Sequence, residues 1–361
     1  MATAYLDPEM TPVMPAPAGV TSRLLNPPPH TSSTIICLTL ALALSTPFVA
    51  VRMYTRQHVS RNLWWDDWTC LTGWLFFIAY CALTLQGLKY GGGSDLWNVS
   101  RADLMRFVAL IHDIEIIGRV GMCLTKTSII LFYQRLFVPP GTRGTRIWWS
   151  IWFTFWGNLL YAVAFVLTVA FECVGKDALV AAGKQCVNRF ALLVCASVIN
   201  VTTDLMILFI PIAAVWRLQM PRGKKWRLSA LFGIGTLGVL ASVARLGYEI
   251  SEISKPNKTV ILIILLLMTA AEQFIGIVVS CMPLLPAFYR HVASEYTTAQ
   301  NSGPSSLKNV LVASVLGPRS GSSKTPKDPY PLYSTKGYEE LDDMEAQKRS
   351  ADPPKSAGER H

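Results

Sequence analysis

Charged residues are scarce in this chain. Only 16% are Asp, Glu, Lys or Arg, against about 25% in a soluble globular protein. A water-facing surface for 361 residues cannot be solvated by so few ionisable groups, which argues against a soluble domain. Acidic residues are the rarer sign, 23 against 33 basic, for a net charge of +10. That excess does not read as a nucleic-acid patch, because residues 287–361 nearly balance, with 10 basic and 9 acidic side chains. The surplus therefore lies in short gaps between apolar runs, where Lys and Arg act as topology signals facing anionic lipid. Histidine is rarer still: His30, His58, His112, His291 and His361 are scattered. No metal-ligand cluster, nucleophile–base pair or cofactor fingerprint accompanies them, so no metal site is expected and an enzyme is the less expected class. No cleavable leader is expected either, since Met1–His30 is polar and Pro-rich; the first apolar run is expected to serve as the targeting signal.

What the chain has instead is long apolar runs, with 51% hydrophobic residues and a mean hydropathy of +0.35. A helix needs about 20 apolar residues to cross a bilayer. Seven segments qualify: Ser33–Met53, Trp65–Leu85, Phe107–Phe132, Trp148–Ala170, Phe190–Val215, Leu228–Ile250 and Val260–Leu285. The third is interrupted by His112, Asp113, Glu115, Arg119 and Lys126, yet apolar residues fill most of its other positions. A membrane barrel would need alternating strands, and runs such as VILIILLLMTAA do not alternate. The predicted fold is all-α, a seven-transmembrane helix bundle. Three regions follow: an extracellular Pro-rich tail (1–32), the membrane domain (33–290) and a disordered cytosolic tail (291–361), with one short helix near Leu307–Leu316.

Orientation follows from the gaps. One set of loops holds Arg52, Arg56, Arg61, Arg135, Arg143, Arg146, Arg217, Arg222, Lys224, Lys225 and Arg227, eleven cations; the opposite set holds eight, diluted by acids. The positive-inside rule then places the N-terminus outside and the C-terminus in the cytosol. Trp64, Trp65, Trp68, Trp148, Trp149, Trp152, Trp216 and Trp226 gather near the proposed inner interface, where indole rings suit the headgroup level. Under this topology Cys173 and Cys186 share an oxidising outer loop and are expected to form a disulfide, in a glycoprotein modified at the Asn98-Val-Ser100 sequon. The Gly91-Gly-Gly stretch of the first outer loop reads as flexible.

Charges inside spans carry the most information, because a central Arg, Lys or Asp is unfavourable in lipid by about 2.5–3.5 kcal/mol on insertion scales. Glu115, Arg119, Met122 and Lys126 fall at helical spacing and form one polar stripe. Asp204, Arg245 and Glu272 occupy spans five, six and seven. By depth, Lys126 pairs with Asp204, and Arg119 or Arg245 with Glu272. These six residues, Glu115, Arg119, Lys126, Asp204, Arg245 and Glu272, are the candidate polar network and ligand pocket. Structural ion pairs that set helix register are the alternative reading of the same pattern. Pro47, Pro211, Pro283 and Pro286 are expected to kink spans one, five and seven.

Several motifs now stand in order: Trp65-Asp66-Asp67-Trp68 after Arg52 and Arg61, Tyr90-Gly-Gly-Gly, Lys126-Thr-Ser-Ile-Ile-Leu-Phe-Tyr-Gln-Arg-Leu-Phe137, Cys173 and Cys186. They continue with Asp204-Leu-Met-Ile-Leu-Phe-Ile-Pro211, Trp216-Arg-Leu-Gln-Met-Pro221, Ala241-Ser-Val-Ala-Arg245-Leu, and Glu272 through Cys281-Met-Pro-Leu-Leu-Pro286. As an ordered set over roughly residues 33–290 they resemble the fungal seven-helix rhodopsin-domain integral membrane family, related to fungal Pth-type receptors. The resemblance implies a multi-pass protein akin to G-protein-coupled receptors, some of whose relatives are encoded beside natural-product genes. The chain departs from the family pattern at Gly91-Gly-Gly-Ser-Asp95, which lacks a His, and at Asn257-Lys-Thr259-Val. Retinal is not expected, since Val260–Leu285 contains no lysine for a Schiff base.

The first expectation for function is a receptor-like sensor of a small ligand at the plasma membrane. Its partners would be the lipid bilayer and a cytosolic signalling protein reached through Arg222, Lys224, Lys225 and Arg227. The second is a membrane-embedded accessory enzyme of secondary metabolism, acting on a hydrophobic substrate with Glu272 or Asp204 as general acid. A transporter is the third.

Overall fold

The structure is a computed structural model that describes residues 14–16, 19, 31–138, 144–171, 189–217, 222–252 and 258–301. Cys173, Cys186 and the segment around Leu307–Leu316 lie outside them. The chain divides into two units, Met1–Tyr296 and Thr297–His361, and the bundle belongs to the first. Its helices are α1 (Thr31–Tyr54), α2 (Trp65–Lys89), α3 (Arg101–Phe137), α4 (Arg146–Ala170), α5 (Arg189–Arg217), α6 (Arg222–Ser251), α7 (Lys258–Cys281) and α8 (Leu285–Asn301). No β-strand occurs among the described residues. Five stretches are long and apolar enough to cross a membrane, and lie on α1, α2, α4, α5 and the α7–α8 run. Helices α3 and α6, at 37 and 30 residues, are long enough to cross but are not among these five.

The helices close into a ring. From α1 to α7 each packs on the next in chain order, α7 returns to α1 and α2, and α3 also reaches α5 and α7. The position of α3 explains its mixed composition: polar side chains that lipid would penalise are surrounded by α2, α4, α5 and α7. Close approach depends on small residues. A methyl group on Gly121 would sit 2.5 Å from Gln273 Nε2, and one on Gly118 2.8 Å from the Tyr80 ring.

Helix α4 shows the opposite side of the same rule. Ile151, Thr154, Asn158, Ala162, Phe165 and Val169 are buried, whereas Trp149, Phe153, Trp156, Leu160, Val163, Leu167 and Phe171 are exposed. An exposed apolar stripe running the length of a helix, over a partly polar inner face, suits acyl chains rather than water.

Local chemistry sets the boundaries. Ser100 caps α3 by accepting from the Asp103 N–H at 3.1 Å, and Thr145 caps α4 by accepting from Trp148 N–H at 3.3 Å. Helix α2 starts where the Trp64 N–H donates to Asp67 Oδ2 at 3.2 Å. Pro47 and Pro211 lie inside α1 and α5 as expected. Pro283 and Pro286 do not kink a span: Pro283 stands in the 3-10 turn Met282–Leu284 that ends α7, and Pro286 is the second residue of α8. A proline is accommodated there because the first turn of a helix needs no donor.

Two loop expectations also change. The glycine stretch is a packed turn, with Gly91 at φ +82° and Gly92, Gly93 and Ser94 buried. A Cβ on Gly91 would lie 2.8 Å from Val99 Cγ2, so glycine is needed for both conformation and space. Asn98 is 8% exposed, in the 3-10 turn Leu96–Asn98, and Ser100 of its sequon is the cap of α3. The sequon is therefore built into the fold rather than carried on an open loop.

Candidate functional site

Two buried layers of ionisable groups cross the bundle. The first lies at the end holding the α1–α2 connection. After α1 the chain rewinds as a π-turn, Thr55–Val59, which leaves Arg56 one helical turn beyond Arg52 and pointing the same way. Arg52 Nε donates to Asp67 Oδ1 at 2.9 Å and its Nη2 to Asp66 Oδ2 at 2.7 Å; Arg56 repeats the pattern at 3.1 Å to each carboxylate. Two cations thus face two carboxylates, all nearly excluded from solvent, with the partly exposed Arg135 at the rim, 3.9 Å from Asp66 Oδ1. Arg52 also donates through Nη1 to the Ser280 carbonyl, joining α1 to the end of α7. Ser128 on α3 donates to the Asp66 carbonyl at 2.7 Å. Cys70 and Cys281 lie beneath, with sulfurs 4.0 Å apart.

This layer corrects the topology arithmetic. Arg52 and Arg56 are neutralised inside protein, so neither is a free loop cation facing lipid, and two of the eleven counted charges lose that role. The signal was present in the sequence as Asp66-Asp67 at ten to fifteen residues from the two arginines, though separation alone does not say that the chain turns back between them.

The second layer lies mid-bundle. Lys126 Nζ is 2.8 Å from Asp204 Oδ1, and it donates to Asn200 Oδ1 at 2.8 Å, Thr203 Oγ1 at 2.9 Å and the Asn200 carbonyl at 3.3 Å. Ser242 Oγ donates to Asp204 Oδ2 at 2.6 Å. Asn200 Nδ2 donates to Glu272 Oε1, and Arg245 Nε stands 3.6 Å from Glu272 Oε2. Lys126 with Asp204 is the pair expected from depth, and Arg245 rather than Arg119 takes Glu272. The Arg119 guanidinium instead lies 4.4 Å from the Phe165 ring centre and 5.1 Å from that of Tyr161, a cation–π stack on α4.

Asn200 was missed as a functional candidate and is the hub of this layer. The run Asn200-Val-Thr202 has the form of a sequon, but within a span it is no acceptor. The spacing of four residues between Asn200 and Asp204 is the signal that places both on one face of α5.

Beyond the second layer, towards the N-terminal halves of α3, α5 and α7, a cavity of about 70 Å³ opens. Glu115, Arg119, Ser197, Arg245, Glu249 and Thr269 supply its polar wall. Ser197 Oγ donates to Glu249 Oε2 at 2.5 Å and Arg245 Nη1 to Thr269 Oγ1 at 3.1 Å. Glu115, Arg119 and Arg245 among the six sequence candidates line the cavity, while Lys126, Asp204 and Glu272 lie in the layer behind it, joined to the lining through the Arg245–Glu272 pair. Arg222, Lys224, Lys225 and Arg227 open α6, with side chains outside the described residues. Among the described residues no group of three or more His, Cys, Asp or Glu is placed to hold a metal ion.

Comparison with known proteins agrees with this architecture. A family model for the fungal rhodopsin domain matches residues 51–291. A SAT4 family membrane protein of Emericella nidulans is 30% identical over 237 residues, which is 65% of this chain and 57% of that protein. Fugralins biosynthesis cluster protein 2 of Gibberella zeae is 24% identical over 94% of this chain and 88% of its own length. Wortmanamides biosynthesis cluster protein C of Talaromyces wortmannii is 21% identical over 72% and 71%. No solved structure matches. With the match covering most of the helical ring and both ionic layers, the chain belongs to the fungal rhodopsin-domain family of membrane proteins.

Proposed function

We propose that this protein is a receptor-like sensor of a small ligand in the plasma membrane. In this reading all seven ring helices cross the bilayer, with the N-terminus outside, the cavity opening towards the outer side and the Arg52 layer at the cytosolic end. The observation that carries it is the continuity of α7. Glu272 meets Arg245 behind the cavity, and eight residues on, the Ser280 carbonyl accepts from Arg52. A ligand that repositions Arg245 would shift Glu272, and α7 would carry the movement to the buried Arg52–Asp66–Asp67 layer, beside the basic start of α6 that would meet a signalling protein. Such coupling requires different affinity for two arrangements of the pairs. Retinal does not fit. Lys126, the buried lysine of the described bundle, already meets four oxygens, and α7 from Val260 onward has no lysine.

A second reading is a membrane-embedded accessory enzyme of secondary metabolism, favoured by the two relatives named for biosynthesis clusters. Metabolite profiling separates the two. A deletion strain is complemented with wild-type or Glu272→Gln protein. The sensor reading expects no precursor to accumulate; build-up of one defined precursor in both the deletion and the Glu272→Gln strain would establish the enzyme. Reporter tags at the two chain ends test the topology, and tags in the same compartment would refute an odd number of spans.

A further inference from the structure

Two features of the cavity select the chemistry of what it holds. The first is unmatched donors. Arg245 is 5% exposed, its Nη2 has no hydrogen-bond partner, and its Nε is too far from Glu272 for a hydrogen bond. Arg119 Nε is likewise buried without a hydrogen-bond partner, while its guanidinium face rests on two aromatic rings. Both side chains line the same space. Buried N–H groups are matched in stable proteins, so an acceptor oxygen belongs there.

The second feature is charge. Arg119 and Arg245 face Glu115 and Glu249 in the lining, and the layer behind adds Lys126 against Glu272 and Asp204, so carboxylates outnumber cations by one overall. A carboxylate or phosphate ligand would add to the acidic surplus in a site screened from water, which is unfavourable. An amine would balance the charge but bring no acceptor for the guanidinium N–H groups. An uncharged acceptor meets both conditions. The remaining lining is largely apolar, with Ile111, Ile114, Leu262 and Leu265 beside the Tyr80 and Phe165 rings. The volume, about 70 Å³, is roughly half that of the ~150 Å³ engineered cavity that admits benzene, so what it encloses is smaller than benzene.

We propose that the cavity binds a small uncharged carbonyl compound, an amide, ketone or ester, whose oxygen accepts from the Arg245 and Arg119 guanidiniums and whose alkyl part packs on Ile114, Leu262 and Leu265. The proposal names the ligand chemistry of the sensing site and rests on that reading of the cavity. Acetamide, acetate and acetamidinium test it, because they share a shape and carry charges of zero, minus one and plus one. Saturation-transfer NMR on the purified full chain in nanodiscs reads their binding at millimolar concentration. Acetamide is expected to give the strongest signal, falling at least fivefold in Arg119→Gln and in Leu265→Phe, the latter filling the cavity without touching a charged group. Equal or stronger binding of acetate or acetamidinium overturns the proposal, as does an acetamide signal unchanged in both variants. No signal from any of the three means that solvent matches the donors, and overturns it too. The outcome is independent of the strain experiment: precursor accumulation would remove the sensor and leave the ligand chemistry standing, whereas preferential acetate binding would do the reverse.

Discussion

Replacing Asp67 with Asn removes one of the two carboxylates that neutralise Arg52 and Arg56 while keeping the shape of the side chain. Asp67 accepts from Arg52 at 2.9 Å, Arg56 at 3.1 Å and the Trp64 N–H at 3.2 Å, and its side chain is fully buried. Breaking a buried ion pair by removing one partner is destabilising by about 3–5 kcal/mol, because the other charge stays behind uncompensated. The Asn amide oxygen still accepts one of the three bonds, which puts the expected loss at the low end, about 3 kcal/mol, or roughly 6–12 °C in Tm for a domain of this size. The assay is heating of the purified full chain in detergent with a thiol-reactive dye, since Cys70 and Cys281 are both 1% exposed and react as the bundle opens. Asp103→Asn is the control. Its pair with Arg106 is 3.6 Å long and solvent-exposed, so less than about 1 kcal/mol is expected. The double variant Asp67→Asn, Arg56→Gln restores the charge balance and is expected to be less destabilised than the sum of its singles. If Asp67→Asn melts with Asp103→Asn, or the double variant is additive, the layer is not held by paired charge and the reasoning fails.

Three further outcomes are expected. Lys126→Asp and Asp204→Lys each leave like charges facing one another in the bundle and lower the folded yield, while the combined swap recovers it; size-exclusion profiles read the result, and no recovery would dismiss the pair. Gly121→Ala drives a methyl group into Gln273 and Phe76 and is expected to lower stability by about 1–3 kcal/mol, whereas Gly157→Ala, with nothing within 4 Å, leaves the melting point unchanged or higher. Asn98 is expected to remain unmodified, so endoglycosidase treatment leaves the electrophoretic mobility of the protein unaltered; a shift abolished by Asn98→Gln would show that modification precedes packing of the turn.

A helix at each of the seven expected segments was legible because a long apolar run leaves a one-dimensional record in the sequence, and five stretches are apolar enough to cross a membrane. The residues expected from Ser33 to Met53 fall within Thr31–Tyr54, and those from Trp148 to Ala170 within Arg146–Ala170. The second ionic layer was half legible. Lys126, Asp204, Arg245 and Glu272 announce themselves by being charged where lipid forbids it, and depth along the helices matched the first two. Depth could not choose between Arg119 and Arg245 for Glu272, because it ignores the angle at which each side chain leaves its helix. Asn200 carries no charge, so only its spacing from Asp204 marks it in the sequence, and its bridging role shows once Lys126 and Glu272 stand on either side of it. The first layer was the larger miss. Arg52 and Arg56 sit at the end of a span, where arginines ordinarily anchor to headgroups, and only the π-turn and the return of α2 show that Asp66 and Asp67 claim them.

The sequence by itself determined that this chain is a helical membrane protein and that some of its charges must turn inward, since both conclusions follow from transfer free energies that depend on residue type and spacing along one axis. Which charges meet, which glycines let α3 close on α2 and α7, and where the small cavity opens were decided only by tertiary structure. Those outcomes depend on the rotation and crossing of separate helices, and no free energy that adds residue by residue along a chain contains them.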